Sequence, residues 1–294
     1  SAPSVHRGLS AQVVMHDEYR FLIDCGEGTQ RQILQSGLGF KRLNRILITH
    51  GHLDHILGLA GLISTFSRWE MIEELEIYGG RWALERVHDL IYGIVLRGAE
   101  SPMKLTFHEI QPGVILEADD FSVTAFPVWH RGPDCYGYLF EEKTRQPFLA
   151  ERADELGVPA GPLRGRLVKG ESVTLDDGRV ITPDMVIGDP RPGLRLAAMG
   201  DLGETASLVD LLQGVDGIVM ESTYLEDEAD MARQFSHLTA RQAAEFARRV
   251  NAGKLILTHL SRRYRDREVL HEARAVFENV SVARDFDTFT IKRD

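Results

Sequence analysis

The chain has few of the features that mark secreted or membrane proteins. Only two of its 294 residues are cysteine, Cys25 and Cys135, which excludes a disulfide framework and favours a reducing, cytoplasmic compartment. No apolar run approaches the ~20 residues that a membrane-spanning helix needs. The N-terminal stretch SAPSVHRGLS lacks the apolar segment of a signal peptide. We therefore expect a cytoplasmic protein with two buried thiols and no membrane partner.

Basic residues are also fewer than acidic ones. The chain has 34 Lys and Arg against 44 Asp and Glu, a net charge of -10. This balance argues against binding of nucleic acid over the whole surface, although a local basic groove is compatible with it. The composition, 43% hydrophobic and 27% charged, is that of a folded globular protein, as one large domain or two.

Short apolar strands alternate with helices along the first half. AQVVM, YRFLID, RILITH and LEIYGG predict strands, and helices are predicted from Gly28 to Ser36, ending at Gly37, and around Trp82–Leu96. The segments KLTFHEI, GVILEADD, FSVTAFPVWH and CYGYLFEE follow, and their partial alternation favours antiparallel strands with one solvated face.

The alternation resumes near the C-terminus. LRLAAMGD, GIVMEST and KLILTHLS predict strands, helices are predicted over GETASLVDLLQ and DREVLHEARAVFEN, and a strand pair closes the chain. Thr239 and Gln242 form a capping-box pattern that opens a further helix. Two such halves predict an α/β fold, an αββα sandwich comprising residues 1–294 with one insertion.

The insertion, at about residues 146–193, differs in composition. It holds six of the eleven prolines and seven glycines. VTLDDGRVI predicts a hairpin that turns at Asp-Gly, and GPLRGRLVKG carries three positive charges and no acid. A flexible protruding arm is favoured, and a plain surface loop is the alternative.

A histidine-rich motif follows the strand RILIT and predicts a metal centre. In extended chain, residues two apart project to the same side, so His50 and His52 can share one cation. A turn after them lets Asp54 and His55 face a second cation. Nitrogen and carboxylate donors together suit zinc or manganese.

Two metal sites need more donors than this motif supplies. His130, Asp201 and His259 each follow an apolar strand: FPVW, LAAMG and KLILT. One such residue alone is more often structural than a ligand. The repeated placement at strand ends favours a shared site.

Five segments then resemble a known family. DCGEGTQRQI at 24–33, ITHGHLDHILGL at 48–59, HRGPDCYGYLFEE at 130–142, GDLGET at 200–205 and LTHLSRRY at 257–264 are similar, in order, to the short form of tRNase Z in the metallo-β-lactamase superfamily. The family begins with a strand that has no counterpart before Ser1. The resemblance implies an endoribonuclease that removes the 3′ trailer of precursor tRNA and leaves a 3′-hydroxyl.

The resemblance also implies the site residues. Two zinc ions per chain, with manganese as the alternative, are held by His50, His52 and His130 and by Asp54, His55 and His259, with Asp201 bridging them. Asp54 also orients or deprotonates the attacking water. Glu221 and His237 resemble a proton-handling pair, although their neighbours differ from those of the family. Capping of the following helix is the alternative role of His237.

Further residues are implied to contact RNA. Gly161, Pro162, Arg164, Arg166 and Lys169 resemble the glycine-proline motif of the family's tRNA-gripping arm, or exosite; Arg262, Arg263 and Tyr264 lie beside His259, where a solvated helix end is the alternative. Near the N-terminus, Pro3 and Arg7 match a loop that governs CCA ends, but its lysine and asparagine are missing. Both acceptance and rejection of CCA-bearing tRNA remain open. The family also implies a homodimer.

Two other functional hypotheses accompany this one. The first is a metallo-β-lactamase-fold hydrolase of small phosphodiesters or other esters, because the motif at 50–55 identifies only the superfamily. The second is an RNA-binding protein without activity, which the intact donor set disfavours.

Overall fold

The computed structural model describes residues 3–69 and 72–293. They form two compact units, the larger within Ser1–Glu141 and Arg195–Asp294 and the smaller within Glu142–Leu194. Across the described ranges, no helix has the length and apolar character needed to cross a membrane.

The first sheet of the larger unit has the strand order β1–β2–β3–β4–β5. Its strands are β1 Gln12–His16, β2 Tyr19–Ile23, β3 Arg45–Leu47, β4 Glu74–Gly79 and β5 Lys104–Glu109. β1 and β2 are antiparallel, and the later pairs are parallel. The prediction that β5 belongs to an antiparallel set is therefore wrong, because the helical crossover after β4 returns the chain in the same direction.

Helices cover the outer face of this sheet. They are α1 Thr29–Ser36, α2 Leu53–Ile56, α3 Gly58–Trp69 and α4 Arg81–His88, and α4 continues as a π-helical segment, Asp89–Leu96. The predicted end of α1 is confirmed, because Gly37 has a φ of 74°, which favours glycine.

The chain then enters a second sheet and leaves it for the smaller unit. β6 Gly113–Glu117, β7 Phe121–Pro127 and β8 Tyr136–Glu142 come first. The smaller unit contains α5 Ala150–Glu155, α6 Pro162–Val168, β9 Val173–Thr174 and β10 Val180–Ile181. The predicted hairpin is confirmed as β9–β10, with Gly178 at a φ of 86°.

The smaller unit has a core of its own and is not a plain loop. Its buried apolar residues are Ala153, Val158, Leu167, Val173, Leu175, Ile181 and Val186. Backbone hydrogen bonds pair its two ends, since Arg145 and Arg191 exchange bonds of 3.1 and 2.8 Å. Whether this unit acts as an arm stays a prediction.

Returning to the larger unit, the chain completes the second sheet. The strands β11 Arg195–Ala198, β12 Gly217–Glu221, β13 Leu255–Thr258 and β14 Val280–Val282 give the order β14–β13–β12–β11–β8–β7–β6. The helices α7 Ala229–Phe235, α8 Ala240–Arg249 and α9 Asp266–Arg274 accompany them.

Two predictions for this half are wrong. GETASLVDLLQ forms only a short 3-10 turn at Ala206–Leu208 and one further turn, closed by Leu212 and Leu208. Gly214, at a φ of 68°, then turns the chain after this segment. The predicted closing strand pair is a single strand, β14, and residues 284–293 form none.

Alternation along the strands separates the layers of the core. On β2, Phe21 and Ile23 pack between the sheets with Phe121 and Tyr138, whereas Leu22 packs outward against the helices of the first sheet. α8 and α9 cover the far face of the second sheet. This arrangement confirms the predicted αββα sandwich.

Candidate metal and catalytic site

The predicted site residues meet at one edge of the larger unit. Five of them lie at or just after the carboxyl end of a strand: His50 after β3, His130 after β7, Asp201 after β11, Glu221 at the end of β12 and His259 after β13. Asp24, which was not predicted from the sequence, follows β2 at the same edge. Open α/β sheets place ligands at this edge, because the loops there diverge and leave room.

The first donor group contains His50, His52, His130 and Asp201. Nδ1 of His52 lies 2.9 Å from Nε2 of His50 and 3.3 Å from Nε2 of His130. Oδ2 of Asp201 lies 3.9 Å from Nε2 of His50 and 3.7 Å from that of His130. The histidine donors therefore converge on one point that this carboxylate oxygen also faces.

The second donor group contains Asp54, His55, His259 and the same Asp201. Oδ2 of Asp54 lies 3.7 and 3.6 Å from Nε2 of His55 and His259. Oδ1 of Asp201 lies 3.5 and 3.2 Å from the same two nitrogens. Asp201 thus directs one oxygen to each group.

Two unsatisfied atoms show that this edge fits cations. Among the described residues, the buried Nε2 of His55 and Oδ1 of Asp201 have no hydrogen-bond partner. Leaving such atoms unpaired costs about 1–3 kcal/mol each, which a bound cation would offset. The cluster can hold metal ions, because imidazole nitrogens and carboxylates are the donors that zinc prefers.

Hydrogen bonds behind the histidines fix which nitrogen faces each group. Nδ1 of His55 donates to Oδ2 of Asp24 at 2.6 Å, and Nδ1 of His130 donates to the carbonyl of Ser236 at 2.8 Å. Nε2 of each ring is therefore left as the donor to a metal.

The hydrogen bonds to Nδ1 of the other two histidines, His50 and His259, share one arrangement. Nδ1 of His50 bonds to Oγ1 of Thr49 at 3.0 Å, and Thr49 donates to Asp24. In the other half, Nδ1 of His259 bonds to Oγ1 of Thr223 at 2.9 Å, and Thr223 donates to Glu221. In both halves a threonine hydroxyl thus joins a ligand histidine to a buried carboxylate.

The protonation states of the first donor group suit metal binding. Burial and the neighbouring His130 lower the pKa of His52 to about 4, and burial also lowers the pKa of His50 and His130. These rings are therefore neutral at pH 7, as ligands must be. Burial alone raises the pKa of Asp201, but His259 and His55 hold it well below its usual value, so the carboxylate is charged.

Three non-glycine residues around the site have left-handed backbone. Asp24, Ser236 and His259 have φ values of 58°, 57° and 54°. Such conformations cost on the order of 1 kcal/mol each and persist where the surrounding structure imposes them. Here they turn the chain at the points where site groups must project.

The predicted pair of Glu221 and His237 is in contact. Nδ1 of His237 lies 2.7 Å from Oε1 of the fully buried Glu221, and the His237 ring lies 5.5 Å from that of His259. The backbone N–H of Leu202 also donates to Glu221, at 2.9 Å. The capping alternative for His237 is wrong, because Thr239 caps α8 and accepts from Gln242.

The RNA-contact residues predicted in the larger unit have mixed environments. Arg7 donates to Asp266 and to the carbonyl of Ala283, both at 2.7 Å. Arg263 pairs with Glu228 at 3.1 Å, and the Tyr264 hydroxyl is buried. Arg262 is exposed, and no ion pair is found for it within the described ranges.

In the smaller unit, the predicted contacts also have structural partners. Gly161, at a φ of 123°, and Pro162 begin α6. Arg164 pairs with Asp154 and donates to the carbonyl of Val158, and Arg166 pairs with Glu171 at 2.8 Å. Lys169 is exposed and, among residues 3–69 and 72–293, has no ion pair. It is the cation of this group that an RNA phosphate can approach without displacing a partner.

Sequence inspection did not single out Asp24, Thr49 and Thr223. Asp24 lies in the segment DCGEGTQRQI, and the available signal was a carboxylate directly after a strand that ends in three apolar residues, which are buried. The two cysteines are buried as predicted, and burial raises the pKa of each thiol to about 12, so neither is a thiolate ligand.

Known proteins resemble the chain over its length. A family model described as "Anti-Pycsar protein Apyc1" matches residues 2–147. The ribonuclease Z of Bradyrhizobium diazoefficiens is 43% identical over 291 residues, which cover 99% of this chain and 96% of that protein.

Solved structures agree. Human tRNase Z, short form, has a TM-score of 0.69 and 25% identity, covering 100% of this chain and 96% of that one. The metallo-β-lactamase fold protein YhfI of Bacillus subtilis has a TM-score of 0.67 and 19% identity, covering 96% and 91%. The fold is therefore the metallo-β-lactamase fold. Together with the near-complete match to a curated relative, this shows that the chain belongs to the ribonuclease Z family.

Proposed function

We propose that this protein is a zinc-dependent endoribonuclease that cuts precursor tRNA just after the discriminator nucleotide. It releases the 3′ trailer and leaves a 3′-hydroxyl on the tRNA. His50, His52 and His130 hold one zinc, Asp54, His55 and His259 the other, and Asp201 bridges them. Manganese is the other cation whose ligand preferences fit this donor set.

One observation carries the proposal: the two oxygens of Asp201 face separate donor groups at distances of 3.2–3.9 Å. Such a divided carboxylate suits two neighbouring cations, and two-metal sites are used for in-line displacement at phosphorus. The relatives named ribonuclease Z supply the substrate class.

The reaction adds water to the scissile phosphorus and expels O3′ of the tRNA. Bound at the two donor groups, the cations supply positive charge for the phosphate and lower the pKa of water toward neutrality. Asp54 is the member of the second group that solvent reaches, with 25% of its side chain exposed against 0% for His55. It accepts a proton from the attacking water.

The departing O3′ needs a proton, because an alkoxide is a poor leaving group. His237 provides it, since its Nδ1 is held by Glu221 and its Nε2 is left to donate. Burial lowers the pKa of His237, but the hydrogen bond and the charge of Glu221 raise it above 6.5 in the balance. Near neutral pH the ring is therefore protonated to a greater extent than a free imidazole.

RNA is held by contacts to its phosphates. We assign this role to the predicted set, which is Arg7, Gly161, Pro162, Arg164, Arg166, Lys169, Arg262, Arg263 and Tyr264. Lys169 and Arg262 are exposed, and among the described residues neither forms an ion pair. Arg164, Arg166 and Arg263 must exchange a carboxylate for a phosphate, and each phosphate contact they make adds to the salt dependence of binding.

We also propose a cytoplasmic homodimer in which the smaller unit of one subunit presents RNA to the active site of the other. The resemblance to tRNase Z supports it. Mixing a His52→Ala variant with a variant that lacks residues 147–190 provides the test. Cleavage by the mixture, when neither variant cleaves alone, is expected, and an inactive mixture with a shared dimer would refute the arrangement.

The function is tested with the zinc-loaded protein on a precursor tRNA and on a nitrophenyl phosphodiester. Precursor tRNA should be cut once, after the discriminator, and chelator should abolish the cut. Elemental analysis should give two zinc ions per chain, and His52→Ala or His259→Ala should lower both metal content and cleavage.

A hydrolase of small phosphodiesters is the competing function. The motif at 50–55 is compatible with both functions, because it identifies only the superfamily, whereas the relatives named ribonuclease Z favour precursor tRNA. Rapid nitrophenyl ester hydrolysis with intact precursor tRNA would favour this alternative.

A further inference from the structure

Trp129 is an exposed aromatic ring directly beside the site. It lies between the end of β7 and the ligand His130, and 55% of its surface is exposed. We propose that Trp129 is the platform on which an RNA base flanking the scissile phosphate stacks. This inference rests on the proposed function and names the contact that positions its substrate.

The ring is held in place by a glycine. A β-carbon on Gly203 would lie 2.5 Å from Cζ3 and 2.7 Å from Cε3 of Trp129, so the six-membered ring rests on the bare backbone there. The N–H of Gly203 also donates to the carbonyl of Trp129 at 2.8 Å. Because Gly203 lies two residues after Asp201, the loop that carries the bridging carboxylate also fixes the ring.

The same contact places the ring near the reacting groups. The β-carbon position on Gly203 that meets the ring also lies 2.9 Å from Cα of Ser236, the residue before His237. Trp129 therefore precedes the proposed ligand His130 in the chain. In space, its ring lies next to the segment that carries the proposed acid His237. A base attached to either side of the reacting phosphate comes within reach of this ring.

An unpaired base is the ligand that an exposed indole fits. The 3′ end of a precursor tRNA beyond the acceptor stem is single-stranded, so its bases are free to stack. Stacking on an aromatic ring tolerates any base, because every base has a π-face. A platform at this position therefore suits an enzyme that must accept tRNAs with different sequences around the cut.

The other two tryptophans differ from Trp129. Trp82 is occupied on several sides, since its ring lies 5.5 Å from the ring of His52 and Arg86 lies over it. Trp69 is 51% exposed but stands at the far end of α3 beside Phe40. Trp69 is thus a matched control of the same type and similar exposure.

The test compares Trp129→Ala, Trp129→Leu and Trp129→Phe with Trp69→Ala in the zinc-loaded protein. We expect Trp129→Ala to lower kcat/KM for precursor tRNA roughly tenfold or more, mainly through KM, since stacking contributes about 1–3 kcal/mol per base. Trp129→Phe should restore most of the loss, and Trp129→Leu should not. The zinc content of the Trp129 variants should match that of the parent, and Trp69→Ala should cleave precursor tRNA like the parent.

Abasic substrates identify the stacked base. An abasic discriminator or an abasic first trailer nucleotide should lower kcat/KM of the parent as much as Trp129→Ala does. The same abasic substrate should not lower kcat/KM of the Trp129→Ala variant any further. If Trp129→Ala behaves like Trp69→Ala on precursor tRNA, or if Trp129→Leu and Trp129→Phe are equal, the platform is refuted.

A binding measurement separates this inference from the proposed function. A short single-stranded RNA should quench tryptophan fluorescence in the parent and in Trp69→Phe, and the quench should be lost in Trp129→Phe. A parent that fails to cut precursor tRNA would refute the proposed function alone. An equal quench in Trp129→Phe would overturn the stacking platform whether or not the RNA is cut.

Discussion

Buried carboxylates orient the ligand histidines at the level of single residues. Oδ2 of Asp24 accepts from both His55 and Thr49, while its Oδ1 accepts from the backbone N–H of Thr49. The charge of Asp24 therefore acts on the ring of His55 directly and on that of His50 through Thr49. Such partners hold a ligand ring in one tautomer and orientation.

Asp24→Asn should weaken zinc binding without removing a ligand. The amide keeps the shape of the side chain but loses the charge that holds Nδ1–H of His55. We expect metal affinity to fall about 10–100-fold, the usual effect of losing such a partner. Competition with a chromophoric chelator measures it. Asp120→Asn is the control, because Asp120 pairs with His16 at 2.7 Å on the surface, and equal losses in the two variants would contradict the assignment.

His237→Ala should remove proton donation and spare the metals. The rate on precursor tRNA should fall by roughly 10²–10⁴, the range of general acid catalysis. The rate on the nitrophenyl phosphodiester should fall much less, because the nitrophenyl leaving group is already acidic. Single-turnover kinetics and metal analysis are the measurements, and an equal loss on both substrates would show that His237 is structural.

Glu221→Gln should change the pH profile of the same step. In the proposed mechanism protonated His237 is the acid, so activity should fall as the pH rises through its pKa. Because Glu221 raises that pKa against the effect of burial, loss of its charge lowers it. The alkaline limb of the kcat profile should therefore move to lower pH. The double variant Glu221→Gln/His237→Ala should lose little more activity than the less active of the two single variants. An unmoved alkaline limb would argue against this role.

At the scale of elements, close backbone packing positions the histidine loop. A β-carbon on Gly58 would lie 2.0 Å from the carbonyl oxygen of Gly26, so α3 begins in direct contact with the loop after β2. The N–H of Cys25 donates to the carbonyl of His55 at 2.7 Å. These contacts join the Asp24 loop to α2, and they explain why both segments carry parts of one site.

The role of the smaller unit can be tested by deleting it. Replacing residues 147–190 by a short Gly-Ser linker leaves Arg145 and Arg191, whose mutual hydrogen bonds pair the two ends. We expect metal content and nitrophenyl ester hydrolysis to persist, because all the metal and acid groups lie in the larger unit. Affinity for tRNA and its salt dependence should fall.

Filter binding at several salt concentrations measures that loss. Glu155→Gln is the matched control, because it removes an exposed ion pair with Arg152 within the smaller unit, involves no assigned RNA contact and keeps the unit itself. If the deletion variant and the parent bind tRNA with the same affinity and the same salt slope, RNA binding by this unit is contradicted.

For the whole molecule, metal removal should destabilise the larger unit. The donor set buries His50, His55, His130 and Asp201, and two of their atoms have no partner among the described residues. A cation at 100 times its Kd stabilises the folded state by about 2.7 kcal/mol per site. Chelator should therefore lower the Tm by several degrees, and zinc should restore it. Calorimetry measures this shift in Tm. The shift should be smaller in Asp201→Asn than in the parent, and equal shifts would contradict a carboxylate shared by the two donor groups.

Much of this protein is determined by its sequence alone. Short apolar runs predict most strands of the two sheets, because a central strand buries one face between the sheets and the other under helices. The residues at 50–55 and the strand-end donors His130, Asp201 and His259 also stand out, because polar groups of these types follow apolar strands. Gly37 and Thr239 mark helix boundaries through local backbone chemistry.

Only the tertiary structure decides how distant segments meet. Pairing of β5 with β4, the short turn in place of the helix over GETASLVDLLQ, and the core of the smaller unit depend on contacts that local pattern does not contain. The same is true of the site: Asp24 holds His55 across 31 residues, and Thr223 joins Glu221 to His259 across 36. Sequence determines which chemical groups are available, whereas packing of the sheets brings them within hydrogen-bond distance and thereby sets which nitrogen of each histidine faces a metal.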